Sequence, residues 1–292
     1  MKNYIIRASA GNHSIRAFAA YTTEMVDTAR KIHNTTPVAS AALGRTLTAT
    51  SMMGVMMKNE NDKLTVQIKG DGPLGNIVIV SNSKGMVKGY VSNPFADVPP
   101  KYAGKLDVGA AVGKQGTITV IKDLGLKKPY IGSYPLVNGE IAEDFTAYFA
   151  YSEQQPSAIA LGVLVDTDYS VKASGGFIIQ LLPDASEEII QILEKNLSDM
   201  KPISTLIAEG KMPEDILDIV LKDMDHEILD KYEVGFECDC SKERFERALI
   251  SIGKKDLEEI LETDKKAELT CHFCNTSHQF DEADLKKLID SI

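Results

Sequence analysis

The chain has 292 residues, 43% hydrophobic and 25% charged, with a formal net charge of −10. That apolar content supports a sizeable core and excludes a wholly disordered chain, while the negative charge disfavours nucleic acid as a partner. No apolar run approaches the ~18 residues of a membrane span, and Lys2, Arg7, His13 and Arg16 interrupt the segment where a secretory leader would lie. A soluble, cytoplasmic protein is therefore expected, with no membrane partner, and in that compartment cysteines serve metal or redox chemistry more often than structural disulfides.

Residues 1–182 mix strands and helices, an α+β pattern without regular βαβ alternation. Residues 4–8 and 15–21 alternate like strands around Gly11-Asn12. Thr22 or Thr23 can cap a helix carrying Met25, Val26, Ala29 and Ile32 on one face. Thr36-Pro37 starts a second, with threonine as N-cap and proline at the first helical position. Small residues along this second helix predict close burial against a sheet, and it ends in Met52, Met53, Met56 and Met57, read as core more readily than as a binding surface. Further strands are expected at residues 63–69, 76–81, 86–91, 116–122, 158–166 and 176–182. Gly70-Asp71-Gly72-Pro73-Leu74-Gly75 lacks the Lys-Ser/Thr ending of a phosphate loop and leads into a strand, so it reads as a hairpin turn. Ser174-Gly175-Gly176 has no nucleophile-elbow pattern and reads as a close backbone approach before a strand. No catalytic constellation is visible, and the chain is not expected to be an enzyme.

Residues 183–232 form the expected second region, a helical linker. From residue 184 to 230 it carries 13 acidic residues against 4 lysines, a balance of −9 that nearly accounts for the net charge of the chain. Asp184-Ala185-Ser186-Glu187 has the form of a capping box. Ile189, Ile190, Leu193 and Leu197 follow at helical spacing, a short helix ends at Gly210, and a third begins near Pro213 with Ile216, Leu217, Val220, Leu221 and Met224 on one stripe. Helices this short are marginal alone and must rest on a neighbour. The eight aliphatic residues of these stripes, Ile189, Ile190, Leu193, Leu197, Ile216, Leu217, Val220 and Leu221, are candidates for binding apolar clients once uncovered.

Residues 233–292 hold all four cysteines, in two pairs: Cys238-Asp239-Cys240 before a helix starting near Ser241, and Cys271-His272-Phe273-Cys274 between strands at 268–271 and 277–280. Asp281 caps a last helix with Leu285, Leu288 and Ile289. Four soft sulfurs, two and then two more about thirty residues on, can close around one tetrahedral zinc ion, and a unit this small needs such a staple. Cys238, Cys240, Cys271 and Cys274 are accordingly the candidate metal ligands, Zn2+ the expected cofactor. His272 and His278 are weaker ligand candidates; His13, His33 and His226 have no paired ligand in sequence. The C-x-C spacing is rarer than C-x-x-C in purely structural sites, and its disulfide would be a small, strained, easily reduced ring. A structural zinc and a redox-responsive one both remain open at this level.

The whole pattern resembles the redox-regulated 33 kDa chaperonin family, heat-shock protein 33: the α+β region with Gly70–Gly75 and Ser174-Gly175-Gly176-Phe177, the helical linker, then C-x-C followed by C-x-x-C near the C-terminus. The resemblance implies an ATP-independent holdase that binds unfolding proteins under oxidative stress. It implies zinc held by the four thiolates in an inactive reduced state. It further implies Cys238–Cys240 and Cys271–Cys274 disulfides with loss of zinc on oxidation, unfolding of the C-terminal domain and linker, and an active homodimer. Loss of the metal would leave the linker helices without the surface they pack on. Two other classes stay in view, a zinc-ribbon nucleic-acid module and a thiol-disulfide oxidoreductase using Cys271 and Cys274.

Overall fold

The alternating apolar positions of the first half of the chain become strands of two five-stranded antiparallel sheets, described by a computed structural model for residues 2–102 and 104–292. In chain order the elements are β1 (Tyr4–Ala10), β2 (Ile15–Tyr21), α1 (Thr23–His33), α2 (Pro37–Val55), β3 (Lys63–Lys69), β4 (Asn76–Asn82) and β5 (Val87–Val91). Then come α3 (Val108–Val112), β6 (Thr117–Asp123), β7 (Tyr130–Pro135), α4 (Ala142–Ala147, continued by a π-helical turn, Tyr148–Ser152), β8 (Ser157–Val165) and β9 (Val171–Leu181). The acidic region supplies α5 (Glu187–Ser198), α6 (Ile203–Ala208), α7 (Pro213–Val220) and β10 (His226–Glu233). The last elements are α8 (Lys242–Ile252), α9 (Lys254–Thr263), β11 (Ala267–Thr270), β12 (Ser277–Phe280) and α10 (Glu282–Asp290). The fold class is α+β, as the sequence indicates. No helix among the described residues is long and apolar enough to cross a membrane.

The first sheet runs β10-β1-β2-β9-β8 and the second β5-β4-β3-β6-β7. In the second, Val66 faces Ile79 on one side and Val120 on the other, and the period of two puts Leu64, Val66 and Ile68 on the buried face. The helix α2 starts where the sequence places it: the Thr36 hydroxyl accepts from the Ala39 N–H and Pro37 occupies the first turn. It is buried on nearly every side and joins α1 and both sheets in one core, with Leu43, Leu47 and Met52 at its centre. Met53 belongs to that core, and Met56 and Met57 pack against it, so the methionine cluster is core. The Gly70–Gly75 segment is the β3–β4 hairpin turn.

The other face of the first sheet carries a different core. Ile6, Ala8, Ala17, Ala19, Phe177 and Ile179 meet Leu193 of α5, Ile203 and Ile207 of α6, and Ile216, Leu217, Val220 and Leu221 at and after α7. Ile189 and Leu197 pack on its margin; Ile192 takes the place expected of Ile190, which is half-buried outside this cluster. The Ser186 hydroxyl caps α5 through the Ile189 N–H, and the Asp215 carboxylate accepts from the Met212 N–H to start α7. The surface these helices rest on is therefore the first sheet, which corrects the expectation that they lean on the cysteine-bearing region.

Other differences have local causes. Residues 226–232, placed by the sequence in the helical region, form with Glu233 the strand β10 along β1, with a bulge between Arg7 and Ala8. Ser174-Gly175-Gly176 lies inside β9, not before it. The close approach is real: a Cβ at Gly175 would stand 2.3 Å from the Ala20 carbonyl oxygen, and one at Gly176 2.5 Å from that of Ala160. Thr22 does not cap α1; its hydroxyl bonds those of Thr48 (2.8 Å) and Ser174 (3.0 Å). The elements α3, α4 and β7 carry no period long or clean enough to be read from sequence; α9 does carry one, with Leu257, Ile260 and Leu261 at helical spacing, which the sequence reading passed over.

The chain divides between Glu237 and Cys238. Residues 183–237 thus belong to the first unit, where the sequence reading drew a separate linker ending at 232. The second unit, residues 238–292, folds α8, α9, the β11–β12 hairpin and α10 around Leu249, Leu257, Phe280, Leu285, Leu288 and Ile289. That is a thin core for a unit of its size.

Candidate metal centre

Each cysteine pair is held by its own local structure. Cys271 and Cys274 sit in the turn between β11 and β12. The Cys271 N–H donates to the Thr276 carbonyl (2.9 Å) and the Asn275 N–H to the Cys271 carbonyl (2.7 Å), with Asn275 in the left-handed region at φ 56°. Such a turn aims both sulfurs to one side. Cys238 and Cys240 lie in extended chain ahead of α8, whose cap is Ser241, its hydroxyl accepting from the Arg244 N–H (3.4 Å). Arg244 reaches back to Asp239, between the two cysteines (3.1 Å), and Lys242 ties the same helix to Asp284 of α10 (2.6 Å).

The four sulfurs lie within 4.8 Å of one another, the one such cluster of metal-ligating side chains among the described residues. Cys238 Sγ is 3.7 Å from Cys271 Sγ and Cys240 Sγ is 3.4 Å from Cys274 Sγ; all four cysteines are free thiols. A tetrahedral ion bound at ~2.3 Å to each sulfur has sulfur–sulfur edges of ~3.8 Å. The spacing and the all-sulfur donor set therefore fit a single soft metal ion. Cys271 is buried and the other three are half-buried, so the cluster is shielded but reachable from one side.

The electrostatics favour a cation. Burial pushes the Cys238 thiol up to about 11, helped by Cys274 and Cys271. Burial raises Cys240 further, with Cys274 and Cys238 adding to it. For Cys274 burial also acts upward, but hydrogen bonds from the Thr276 hydroxyl and amide and from the neighbouring thiols outweigh it and bring the group down to about 7. The cluster thus tolerates one thiolate readily and resists more, because each further negative charge faces the first at contact distance. A divalent cation is what would let all four ionise together.

The histidines do not join the cluster. His278 packs at a tilt against Phe245 with ring centres 4.8 Å apart, His13 bonds Ser9, and His226 pairs with Asp218 (3.0 Å). The sequence stripes of α5 and α7 are brought together as one cover on the first sheet. Sequence reasoning missed Tyr4, whose hydroxyl donates to Glu214 of α7 (2.5 Å), with Lys231 of β10 bonding the same carboxylate (3.2 Å) and lying 3.7 Å from the Tyr4 ring centre. Nothing in local spacing marks three residues so far apart in sequence.

A small four-cysteine unit following a two-sheet α+β body defines a narrow class of protein. The model of the family described as Hsp33 protein matches residues 3–281. The "33 kDa chaperonin" of Alkaliphilus oremlandii is 61% identical over 292 residues, covering 100% of this chain and 98% of that one. The protein of the same name from Clostridioides difficile is 58% identical over 289 residues, covering 99% of each. The crystal structure of the 33 kDa chaperonin, heat shock protein 33 homolog, from Thermotoga maritima superposes with a TM-score of 0.92 at 36% identity, covering 100% of this chain and 99% of that one. The chain belongs to the Hsp33 family.

Proposed function

We propose that this protein is a chaperone, not an enzyme: an ATP-independent holdase for unfolding proteins, switched on by oxidation of Cys238, Cys240, Cys271 and Cys274. The observation that carries the reading is the meeting of four free thiols within 4.8 Å in a unit with a thin core of its own. When bound there, zinc supplies four metal–sulfur bonds worth ~10–16 kcal/mol of folding free energy, against ~5–15 kcal/mol for a whole typical domain. The thiolates hold the ion and the β11–β12 turn fixes two of them. Peroxide turns each cysteine pair into a disulfide: two thiols give up two protons and two electrons, and one hydrogen peroxide becomes two waters. Sulfurs joined in this way are no longer thiolate ligands. Proximity alone selects no pairing, since every sulfur is within 4.8 Å of the others. The likeness to the Hsp33 family implies Cys271–Cys274 and Cys238–Cys240, the first forming earlier because its ring is larger and less strained.

Unfolding of residues 238–292 frees the chain that follows β10, the edge strand of the first sheet. Release of β10 and the acidic helices then uncovers the apolar face of that sheet together with Ile189, Ile190, Leu193, Leu197, Ile216, Leu217, Val220 and Leu221, where clients bind. The active form is a homodimer in the cytoplasm, with neither nucleic acid nor membrane as partner; the −9 of the helical region supports the former exclusion.

The test compares suppression of client aggregation by reduced and by peroxide-treated protein while zinc release is recorded. Suppression that appears only after oxidation, in step with release of one zinc per chain, is expected; equal suppression in both states would sink the switch. Mass mapping of partly oxidised protein should find the Cys271–Cys274 disulfide first, and early Cys238–Cys240 alone would defeat the strain argument. Turnover in a disulfide-reduction assay would favour an oxidoreductase instead, and salt-dependent nucleic-acid binding a zinc-ribbon module.

A further inference from the structure

The first sheet ends in β8, whose outer edge has no strand beside it among the described residues. A cavity of about 850 Å³ runs along that edge. Its lining includes every residue from 159 to 165, both parities of the strand, which a cavity over a sheet face could not reach. Its walls are α2 at Ala41 and Arg45, the start of α6 at Ile203 and Ser204, and the chain leading into α4 at Glu140 and Ala142. Seven residues of strand span ~23 Å.

Hydrogen bonding tells which groups face the opening. The Leu181 N–H donates to the Pro156 carbonyl on the β8 side, and the Ser174 carbonyl accepts from the Thr22 N–H on the β2 side. Odd-numbered residues of β9 therefore turn their main chain to β8, where Ile179, Phe177 and Gly175 face Ala158, Ala160 and Gly162. By the same alternation the N–H and C=O of Ile159, Leu161 and Val163 point away from β9 into the cavity, and no hydrogen bond among the described residues engages them.

The charges at the cavity suit a neutral guest. Residues 159–165 carry none. Arg45 is paired with Glu140 (3.0 Å), which also holds Lys101 (3.1 Å), and Lys201 is paired with Glu209 (2.8 Å). Lys105 and Glu143 stand exposed to solvent on the rim. A charged guest would be desolvated against groups already neutralised, whereas an apolar extended one loses nothing and satisfies three main-chain donors and acceptors.

We propose that the open edge of β8 is a docking slot for one extended, uncharged stretch of about seven residues of an unfolded polypeptide, added as a sixth strand to the sheet. The inference rests on the client-binding reading above and gives that reading a second, main-chain subsite. The recess between α2 and α6 explains how so apolar an edge avoids indiscriminate pairing. Since α6 lies in the acidic region, its release on oxidation would widen the slot from one side.

The test uses the full chain, reduced and oxidised, with an end-blocked seven-residue peptide of valine, threonine and alanine, and the same peptide N-methylated at alternate residues. Amide exchange at Ile159, Leu161 and Val163 should slow at least tenfold with the first peptide and not with the second. Leu161→Pro should weaken docking at least tenfold, because its lost N–H points away from β9 and the ladder is spared. If that variant does not fold, the methylated pair on the unaltered protein decides alone. Equal docking of both peptides overturns the proposal. So does protection of the same amides that grows with protein concentration without peptide, which would assign the edge to a second copy. Client aggregation assays separate the two readings. Oxidised protein that suppresses aggregation while these amides stay unprotected removes the slot and leaves the holdase. Oxidised protein that fails to suppress removes the holdase, and the slot then stands or falls on the peptide pair.

Discussion

The first sheet is covered by helices on both faces, and the two covers are built on different principles. On one face α2 is nineteen residues long, carries Arg45 as its single charge and is buried nearly all round. On the other, α5, α6 and α7 are short and bury one stripe each, and α5 and α7 turn an acidic surface outward. A helix buried all round cannot leave without dissolving the core that joins both sheets. A one-sided cover can leave and expose only the face it protected. Burial of each large aliphatic side chain contributes ~1.5–3 kcal/mol, while ordering each residue costs ~1–2 kcal/mol of backbone entropy. Few apolar residues per turn and a surplus of like charge bring the second cover close to balance. The difference teaches that a sheet can keep one face as permanent core and hold the other in reserve.

The hardest test of this contrast removes the metal-binding geometry. Cys271→Ser should drop zinc from one per chain to nearly none, because a hydroxyl is a poor zinc ligand at neutral pH. Amide exchange across residues 238–292 should then approach that of an unfolded chain. Peroxide oxidation should do the same and carry the loss of protection into residues 187–220, while residues 37–55 keep theirs. If α2 loses protection alongside α5–α7, the two covers do not differ; if α5–α7 keep theirs in the client-binding form, the cover is not the switch.

Core truncations probe the same contrast one at a time. Leu47 and Leu217 are both fully buried, and each Leu→Ala change should cost about 2–5 kcal/mol. Leu47→Ala should lower the midpoint of global unfolding. Leu217→Ala should appear mainly as faster exchange in α5–α7 and as some client binding before oxidation. Identical denaturation shifts with no early client binding would show that both covers unfold as one.

The smallest expected effect lies in the contact of Tyr4, Glu214 and Lys231. Burial works against the Glu214 carboxylate, but the Tyr4 hydroxyl, a backbone N–H and Lys231 hold its pKa below the usual value. A carboxylate with a depressed folded pKa stabilises the fold above its unfolded value, ~4.3, and that contribution is lost as pH falls through the folded value. Acid below pH ~4.3 should therefore speed exchange in α7 before it touches α2, and Glu214→Gln should flatten that pH dependence. Tyr4→Phe should loosen α7 by ~1–2 kcal/mol at neutral pH. An unchanged pH profile in Glu214→Gln would mean the contact does not hold the cover down.

Local chemistry by itself determined a good deal of this protein. Thr36-Pro37 started α2, Ser186 started α5 and Asp281 started α10, because caps act within one turn. The period of two placed most strands of both sheets, and the spacing of Cys238, Cys240, Cys271 and Cys274 announced their cluster. What tertiary structure alone decided is non-local. Residues 226–233 are rich in charge and carry no clean alternation; they became a strand because the edge of β1 offered unpaired main-chain groups at the right register. Ile192 rather than Ile190 meets the sheet because the face a helix buries is set by the surface it meets as well as by its own period. The resting place of α5–α7 and the open edge of β8 follow from the order β10-β1-β2-β9-β8. No single segment encodes that order, since it is the joint solution of hydrogen bonding and burial for strands far apart in the chain.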